Sequence, residues 1–155
     1  MLVRSNSELK TILKNSGTPV LTTAFYLVAD AATGAMRYTN AGHPKPLHVK
    51  RGAEKVEALT HPGRKSQPAL GLFDDAVYRT SETALAPGDL VLMFTDGLFE
   101  VEGRGDQIYT EALLAGATRK RLHLPSAGLF DELLDEIRAY SAAGAFDDDV
   151  CIVGL

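Results

Sequence analysis

The alternation of hydrophobic and polar positions changes its period along the chain, and the first stretch has the period of a helix. Apolar residues recur there at helical spacing, as Leu9, Ile12 and Leu13. Ser5 and Glu8 stand three residues apart, which is the spacing of a capping box and predicts the helix start. Gly17 and Pro19 predict its end.

The middle of the chain has the two-residue alternation, or the short apolar runs, that are typical of strands. The predicted strands cover residues 20–30, 35–41, 46–51, 54–59, 76–85, 90–94 and, at the end of the chain, 150–155. Turn sequences such as DAATG and APGD separate several of them, and the run HPGRKSQPALG predicts an exposed loop. LVLMF, at 90–94, has no polar break and predicts a central strand.

Two further helices are predicted between the last two strands, over QIYTEALLAGA (107–117) and SAGLFDELLDEIRAY (126–140). The predicted order is one helix, about seven strands, two helices and one strand. Short connections dominate and no βαβ alternation occurs. We therefore expect an α+β domain whose sheet is mostly antiparallel, with the helices on one face.

Composition narrows the class of protein. The chain has 155 residues, of which 45% are hydrophobic and 23% charged, as in an ordinary folded domain. No apolar run approaches the ~20 residues of a membrane span, and MLVRSNSELK is too polar for a secretory signal. One cysteine excludes an internal disulfide and a multi-cysteine zinc site, so we expect a reducing, cytoplasmic location.

Charge is unevenly distributed along the chain. Residues 1–70 hold 10 basic and 4 acidic side chains, whereas residues 71–155 hold 6 basic and 16 acidic ones, for balances of +6 and −10. The basic residues are scattered and form no dense patch, so we expect no nucleic-acid partner.

Part of the acidic excess stands at the ends of apolar strands. Asp96 follows LVLMFT directly, and three aspartates, residues 147–149, precede VCIVGL. Adjacent carboxylates repel one another, and a hard cation such as Mg²⁺ or Mn²⁺ would offset that repulsion. Gly97 would let the backbone turn sharply beside such a site without a Cβ clash. On spacing alone, however, the sequence favours an alternative to a cation site, in which residues 147–149 form a solvated turn and Asp96 is a turn former.

Other reactive side chains give weaker signals. The four histidines lack zinc-site spacing, and His43, directly before Pro44, is typical of a structural turn. Cys151 falls within an apolar segment, which predicts a buried thiol. Neither a glycine-rich phosphate loop nor a serine-nucleophile motif is present in the sequence.

Four segments in this order carry a family resemblance: TAFYLVADAATGAMRYTNAGHPKPL, PALGL, LAPGDLVLMFTDGLFEVEG and FDDDVCIV. Together they resemble the SpoIIE/RsbU-type branch of the metal-dependent PP2C (PPM) serine/threonine phosphatases, from about Thr22 to Leu155. The resemblance implies a layered antiparallel β-sandwich flanked by helices. It also reverses the preference for a solvated turn at 147–149.

The resemblance also implies a site. In the family, two Mn²⁺ or Mg²⁺ ions activate a water that attacks phosphoserine or phosphothreonine, which is two-metal hydrolysis. Asp96 of the TDG motif and Asp148 of the DDV motif would be metal ligands, and Asp149 would hold a ligand or a water. Gly97 would lie near the site. The family's NAGH turn, here with Asn40, Gly42 and His43, would lie beside it.

The sequence departs from the family pattern at its start. Acidic ligands in patterns such as GDxxD precede this region in the family, but Glu8 is the only acid in residues 1–21. We therefore expect residues 1–155 to be a partial PP2C-like domain that lacks its N-terminal portion. The chain would be either a piece of a longer protein or a short chain that has lost catalysis. Partial or no metal occupancy and weak or no activity would follow. Exposed sheet edges would favour a homodimer.

Two functions remain open at this point. The leading one is a phosphatase domain of bacterial stress or sporulation signalling that acts on a phosphorylated anti-anti-sigma (STAS-type) protein. The alternative is a non-catalytic PP2C-like binding module that acts in partner switching. A cation-binding domain without phosphatase ancestry would require the ordered motifs to be a coincidence.

Overall fold

The structure of the chain is a computed structural model that describes residues 2–14, 21–63, 66–105 and 107–155. The helices and strands follow one another as α1 Leu2–Lys14, β1 Ala24–Ala29, β2 Ala35–Ala41, β3 Leu47–Lys50, β4 Lys55–Ala58, β5 Ser81–Ala84, β6 Leu90–Phe94, α2 Glu111–Lys120, α3 Ser126–Tyr140 and β7 Ile152–Gly154. In the described part of the chain, six strands precede α2, one for each of the six strand ranges predicted there, so the count of about seven was one too high. Short 3₁₀ turns cover Arg51–Ala53 and Asp96–Leu98.

The described strands form two antiparallel sheets, each in its own compact unit. One unit covers Met1–His43 and Thr60–Leu85 and contains the sheet β1-β2-β5. The other covers Pro44–Leu59 and Ala86–Leu155 and contains the sheet β4-β3-β6-β7, with α2 and α3. The predicted α+β class and antiparallel pairing are confirmed. None of the helices in the described ranges is long and apolar enough to cross a membrane.

In the first unit, α1 differs from its prediction in where it begins and in which residues form its buried face. The helix begins at Leu2, so Ser5 lies inside it and is not its cap, and Glu8 pairs with Arg4 instead. Ile12 is 64% exposed and does not share the buried face, which contains Leu2 and Asn6. The predicted end at Gly17 and Pro19 lies outside the described residues.

The hairpin of β1 and β2 is confirmed, although β1 is shorter than predicted. Asp30 accepts the N–H groups of Ala32 and Thr33 with its Oδ1, at 2.9 and 3.3 Å, and stabilises the predicted turn. In its sheet, β1 is an edge strand, and its Tyr26 and Val28 are exposed. The prediction of a long buried strand over residues 20–30 is therefore wrong, because Tyr26 and Val28 lie on one face of the sheet and the described residues leave that face partly open.

In the second unit, β6 is the interior strand that its unbroken apolar sequence predicts. It pairs with β3 on one side and with β7 on the other. Helix α3 covers residues 126–140 as predicted, and Leu129, Leu133 and Ile137 bury one stripe of it against the core. The Thr110 hydroxyl accepts from Leu113 N–H at 3.3 Å and caps α2.

Candidate functional site

The first part of the candidate site follows directly from the end of β6. The strand is buried, and the chain leaves it at Thr95 in an extended conformation before the 3₁₀ turn that begins at Asp96. Phe99 N–H donates to the Asp96 carbonyl at 2.9 Å and closes this turn. The Asp96 side chain is therefore exposed at the end of a rigid strand.

The second part of the site lies beside the first because β7 pairs with β6. The ladder pairs Phe94 with Ile152, so the residues after β6 run alongside those before β7. Thr95 N–H donates to the Cys151 carbonyl at 3.1 Å. The antiparallel register thus brings the TDG and DDD sequences together, although they are about fifty residues apart in the chain.

The Thr95 side chain fixes this arrangement. Its hydroxyl donates to the Asp149 carbonyl at 3.0 Å and accepts from Cys151 N–H at 2.9 Å. One side chain on one motif therefore holds two backbone groups of the other. Thr95 was not among the site residues predicted from the sequence, where its position immediately before Asp96 was the only signal for it.

Gly97 is packed directly against the aspartate segment. A Cβ at this position would lie 2.6 Å from the Asp149 carbonyl oxygen and 3.2 Å from that of Asp148. Among the described glycines, those with a positive φ do not include Gly97. Gly97 lies in the 3₁₀ turn Asp96–Leu98 and has no room for a Cβ, which agrees with the predicted sharp turn without a Cβ clash, although the turn needs no positive φ at this residue. The glycine is needed because two backbone segments approach each other closely.

Among the four aspartates of the candidate site, the carboxylate of Asp148 accepts a hydrogen bond from the neighbouring backbone. Asp148 Oδ1 accepts the N–H of Asp149 at 2.7 Å, which fixes the orientation of the Asp148 carboxylate. Asp147, Asp148 and Asp149 are all exposed, as is Asp96. Because these carboxylates are exposed, water and salt screen much of their mutual repulsion, and a bound cation would offset the rest.

The donor type suits a hard divalent cation, but the number of donors falls short. Carboxylate oxygens are the ligands that Mg²⁺ and Mn²⁺ prefer. Within the described ranges, however, no three His, Cys, Asp or Glu side chains come together as a group that could hold a metal. The described residues alone therefore do not complete a metal centre, and the ligand roles of Asp96, Asp148 and Asp149 stay predictions.

The NAGH turn is well formed and belongs to the first unit. Asn40 donates from Nδ2 to the His43 carbonyl and accepts His43 N–H at Oδ1, both at 2.8 Å. Gly42 has a φ of +71°, a conformation that favours glycine. Thr23 Oγ1 lies 3.2 Å from His43 Nδ1. The structure thus assembles two groups of predicted site residues, this turn in one unit and the aspartates with Gly97 in the other.

The prediction for the cysteine is wrong. Cys151 is exposed, since β7 begins only at Ile152 and β7 is an edge strand of its sheet. Thr95 bonds to the Cys151 backbone, whereas burial of the Cys151 side chain would require other residues packed over it.

Comparisons with known proteins agree with these motifs. The family model for Stage II sporulation protein E (SpoIIE) matches residues 1–155. The phosphoserine phosphatase RsbP of Bacillus subtilis is 25% identical over 131 residues, which are 84% of this chain and 30% of RsbP. Protein IcfG of Synechocystis is 26% identical over 138 residues, 86% of this chain and 20% of IcfG. The chain thus spans less than a third of these relatives.

The fold also matches a solved structure. The SiaA-PP2C domain of Pseudomonas aeruginosa superposes on this chain with a TM-score of 0.80 at 19% sequence identity. The match covers 99% of this chain and 58% of that domain's chain. The fold is therefore that of a PP2C-type phosphatase domain, and the chain belongs to the SpoIIE family.

Proposed function

We propose that this chain is part of a metal-dependent phosphatase domain of bacterial signalling that hydrolyses phosphoserine or phosphothreonine on a protein. The observation that carries the proposal is the close approach of Gly97 to the backbone of Asp148 and Asp149, which joins the TDG and DDV motifs. Its support is membership of the SpoIIE family and similarity to a relative named as a phosphoserine phosphatase. The substrate class would be a phosphorylated STAS-type protein in the cytoplasm.

In this proposal the residues of the chain supply part of a site for Mn²⁺ or Mg²⁺. Asp96 and Asp148 contribute carboxylate oxygens, and Asp149 holds a further oxygen ligand or a water. Thr95 and Gly97 keep the two motifs in register. The remaining ligands of a two-metal centre would come from outside the described residues. Bound divalent cations lower the pKa of a water and neutralise charge on the phosphoryl oxygens.

Mn²⁺ binding tests the assignment. The 155-residue chain is titrated with Mn²⁺, followed by electron paramagnetic resonance, beside Asp96→Asn and Asp148→Asn. We expect each variant to lose about tenfold or more in affinity. Asp147→Asn is the matched control, because it removes an equal charge from the same cluster at a position without an assigned ligand role. Unchanged affinity in both Asp96→Asn and Asp148→Asn would contradict the site assignment.

Mn²⁺-dependent hydrolysis of p-nitrophenyl phosphate tests the activity, with Asp96→Asn as the inactive control. Turnover that requires Mn²⁺ and disappears in the variant would mean that the described aspartates take part in catalysis. We expect weak turnover or none, because no group of three metal-ligating side chains forms within the described ranges.

The lack of a group of three metal-ligating side chains within the described ranges favours a second candidate. This candidate is a non-catalytic PP2C-like module that binds a partner in partner switching. A chain that binds no Mn²⁺ but captures a purified STAS-type protein would support this candidate and contradict the metal-dependent one.

A further inference from the structure

Helix α1 buries a polar side chain that the proposed function does not use. Asn6 is 2% exposed and lies on the same face of α1 as Leu2. An amide buried among apolar neighbours is costly unless its donor and acceptor groups are paired. The partners of Asn6 therefore show what this position holds together.

Among the described residues, the hydrogen bonds of the Asn6 side-chain amide go to one distant segment, residues 69–78. Its Nδ2 donates to the Phe73 carbonyl at 3.0 Å, and its Oδ1 accepts from Gly71 N–H at 2.7 Å. The Tyr78 hydroxyl also lies 3.0 Å from Asn6 Oδ1. These contacts join α1 to residues more than sixty positions later in the chain.

The segment that Asn6 holds is in contact with the NAGH turn. A Cβ on Gly42 would lie 2.9 Å from Ala69 N and 3.0 Å from Ala69 Cα, so the two backbones touch. The Tyr78 hydroxyl lies 3.1 Å from the Ala69 carbonyl, and its single proton serves either this oxygen or Asn6. Burial raises the pKa of Tyr78, which keeps that proton in place. Leu70, between the two contact points, packs with Leu2.

From this chain of contacts we infer that Asn6 is a positioning residue for the NAGH turn. Ala69 touches the turn, Leu70 packs in the core with α1, and Gly71 bonds to Asn6. Three consecutive residues thus connect α1 to the turn. Displacement of α1 would move His43 through this connection. The relevance of that movement to catalysis rests on the proposed function.

Amide hydrogen exchange of the 155-residue chain, measured residue by residue by NMR, tests the inference. The reporter is the His43 amide, which bonds to Asn40 Oδ1, and the β1–β2 ladder amides are the reference. In Asn6→Ala we expect His43 exchange to rise about tenfold relative to the reference, with a smaller rise in Tyr78→Phe. A local structural role of Asn6 would change exchange at Gly71 and leave that ratio unchanged.

Tyr38→Phe is the matched control. It removes a part-buried hydrogen bond, from the Tyr38 hydroxyl to the Thr60 carbonyl at 2.9 Å, together with a contact to Ser81, in the same unit but not among the contacts that join α1 to the turn. We expect it to leave the His43 ratio unchanged. Should Asn6→Ala not fold, Tyr78→Phe decides, and an unchanged ratio there overturns the inference. The measurement needs neither metal nor substrate, so its failure is distinct from a failure of the proposed function.

Discussion

Replacing Gly97 by alanine tests the close approach on which the candidate site depends. The added methyl carbon would lie 2.6 Å from the Asp149 carbonyl oxygen and 3.1 Å from its carbonyl carbon. Both neighbours are backbone atoms, so no flexible side chain can move aside. The turn after β6 and the segment before β7 must separate, and the Thr95 hydrogen bonds must lengthen.

The expected cost follows from two opposing effects. Forcing an extra carbon into a closely packed position costs about 1–3 kcal/mol. The φ of Gly97 is not positive, so alanine also stabilises by about 0.4–1 kcal/mol through a less flexible unfolded chain. We therefore expect a net loss of about 1–2 kcal/mol in the free energy of unfolding. For a chain of this length the melting temperature would fall by about 2–8 °C.

Urea unfolding followed by circular dichroism measures this loss. Gly116→Ala is the control, because Gly116 lies inside α2 and an added Cβ has nothing within 4 Å. That variant should be more stable than the parent by about 0.5–1 kcal/mol, since alanine favours a helix. If Gly97→Ala were as stable as Gly116→Ala, the close approach and the site built on it would be refuted.

The remaining predictions concern Thr95 and Tyr109. Thr95→Val removes a hydroxyl that bonds to two backbone groups and should lower the free energy of unfolding, measured in urea, by about 1 kcal/mol. Thr95→Ser keeps a hydroxyl and should retain most of that stability. Equal stability of the Val and Ser variants would contradict the role of the hydroxyl in holding the two motifs together. Burial, followed by the charge of Glu136, raises the pKa of Tyr109, whose hydroxyl donates to Glu136. Above about pH 10 the unfolded chain ionises this tyrosine before the folded one does, so the parent should lose stability relative to Tyr109→Phe as pH rises. Parallel stability profiles of the two proteins would contradict that sign.

The predictions from sequence were most accurate where a local pattern decides the structure. Helix α3 and strand β2 have the predicted bounds, because an amphipathic stripe and a two-residue alternation are properties of neighbouring residues. The predicted start of α1 at Ser5 and the predicted burial of Ile12 were wrong because they too used only neighbouring residues. Which face of α1 is buried depends instead on a distant segment, the one that bonds to Asn6.

The candidate site likewise has features that neighbouring residues predict and features that depend on distant residues. Asp96, Asp148 and the NAGH turn could be proposed as site residues from the sequence because their short motifs stand in a recognisable order along the chain. Thr95 was missed, and the backbone that leaves Gly97 no room for a side chain was not foreseen, since both depend on residues about 54 positions away along the chain. Cys151 was misjudged because the burial of a side chain depends on what packs on the face to which it points.

By itself, the sequence determined the types and order of most elements, the α+β class and the chemical character of the candidate site, a set of carboxylates beside buried strands. Only the tertiary structure decided which two backbone segments lie side by side, which hydroxyl bonds to the Asp149 carbonyl and the Cys151 N–H, and that Gly97 has no room for a side chain. The physical reason is that periodicity and turn chemistry act between neighbours in the chain. Strand register and close packing act between residues that meet only when the chain folds.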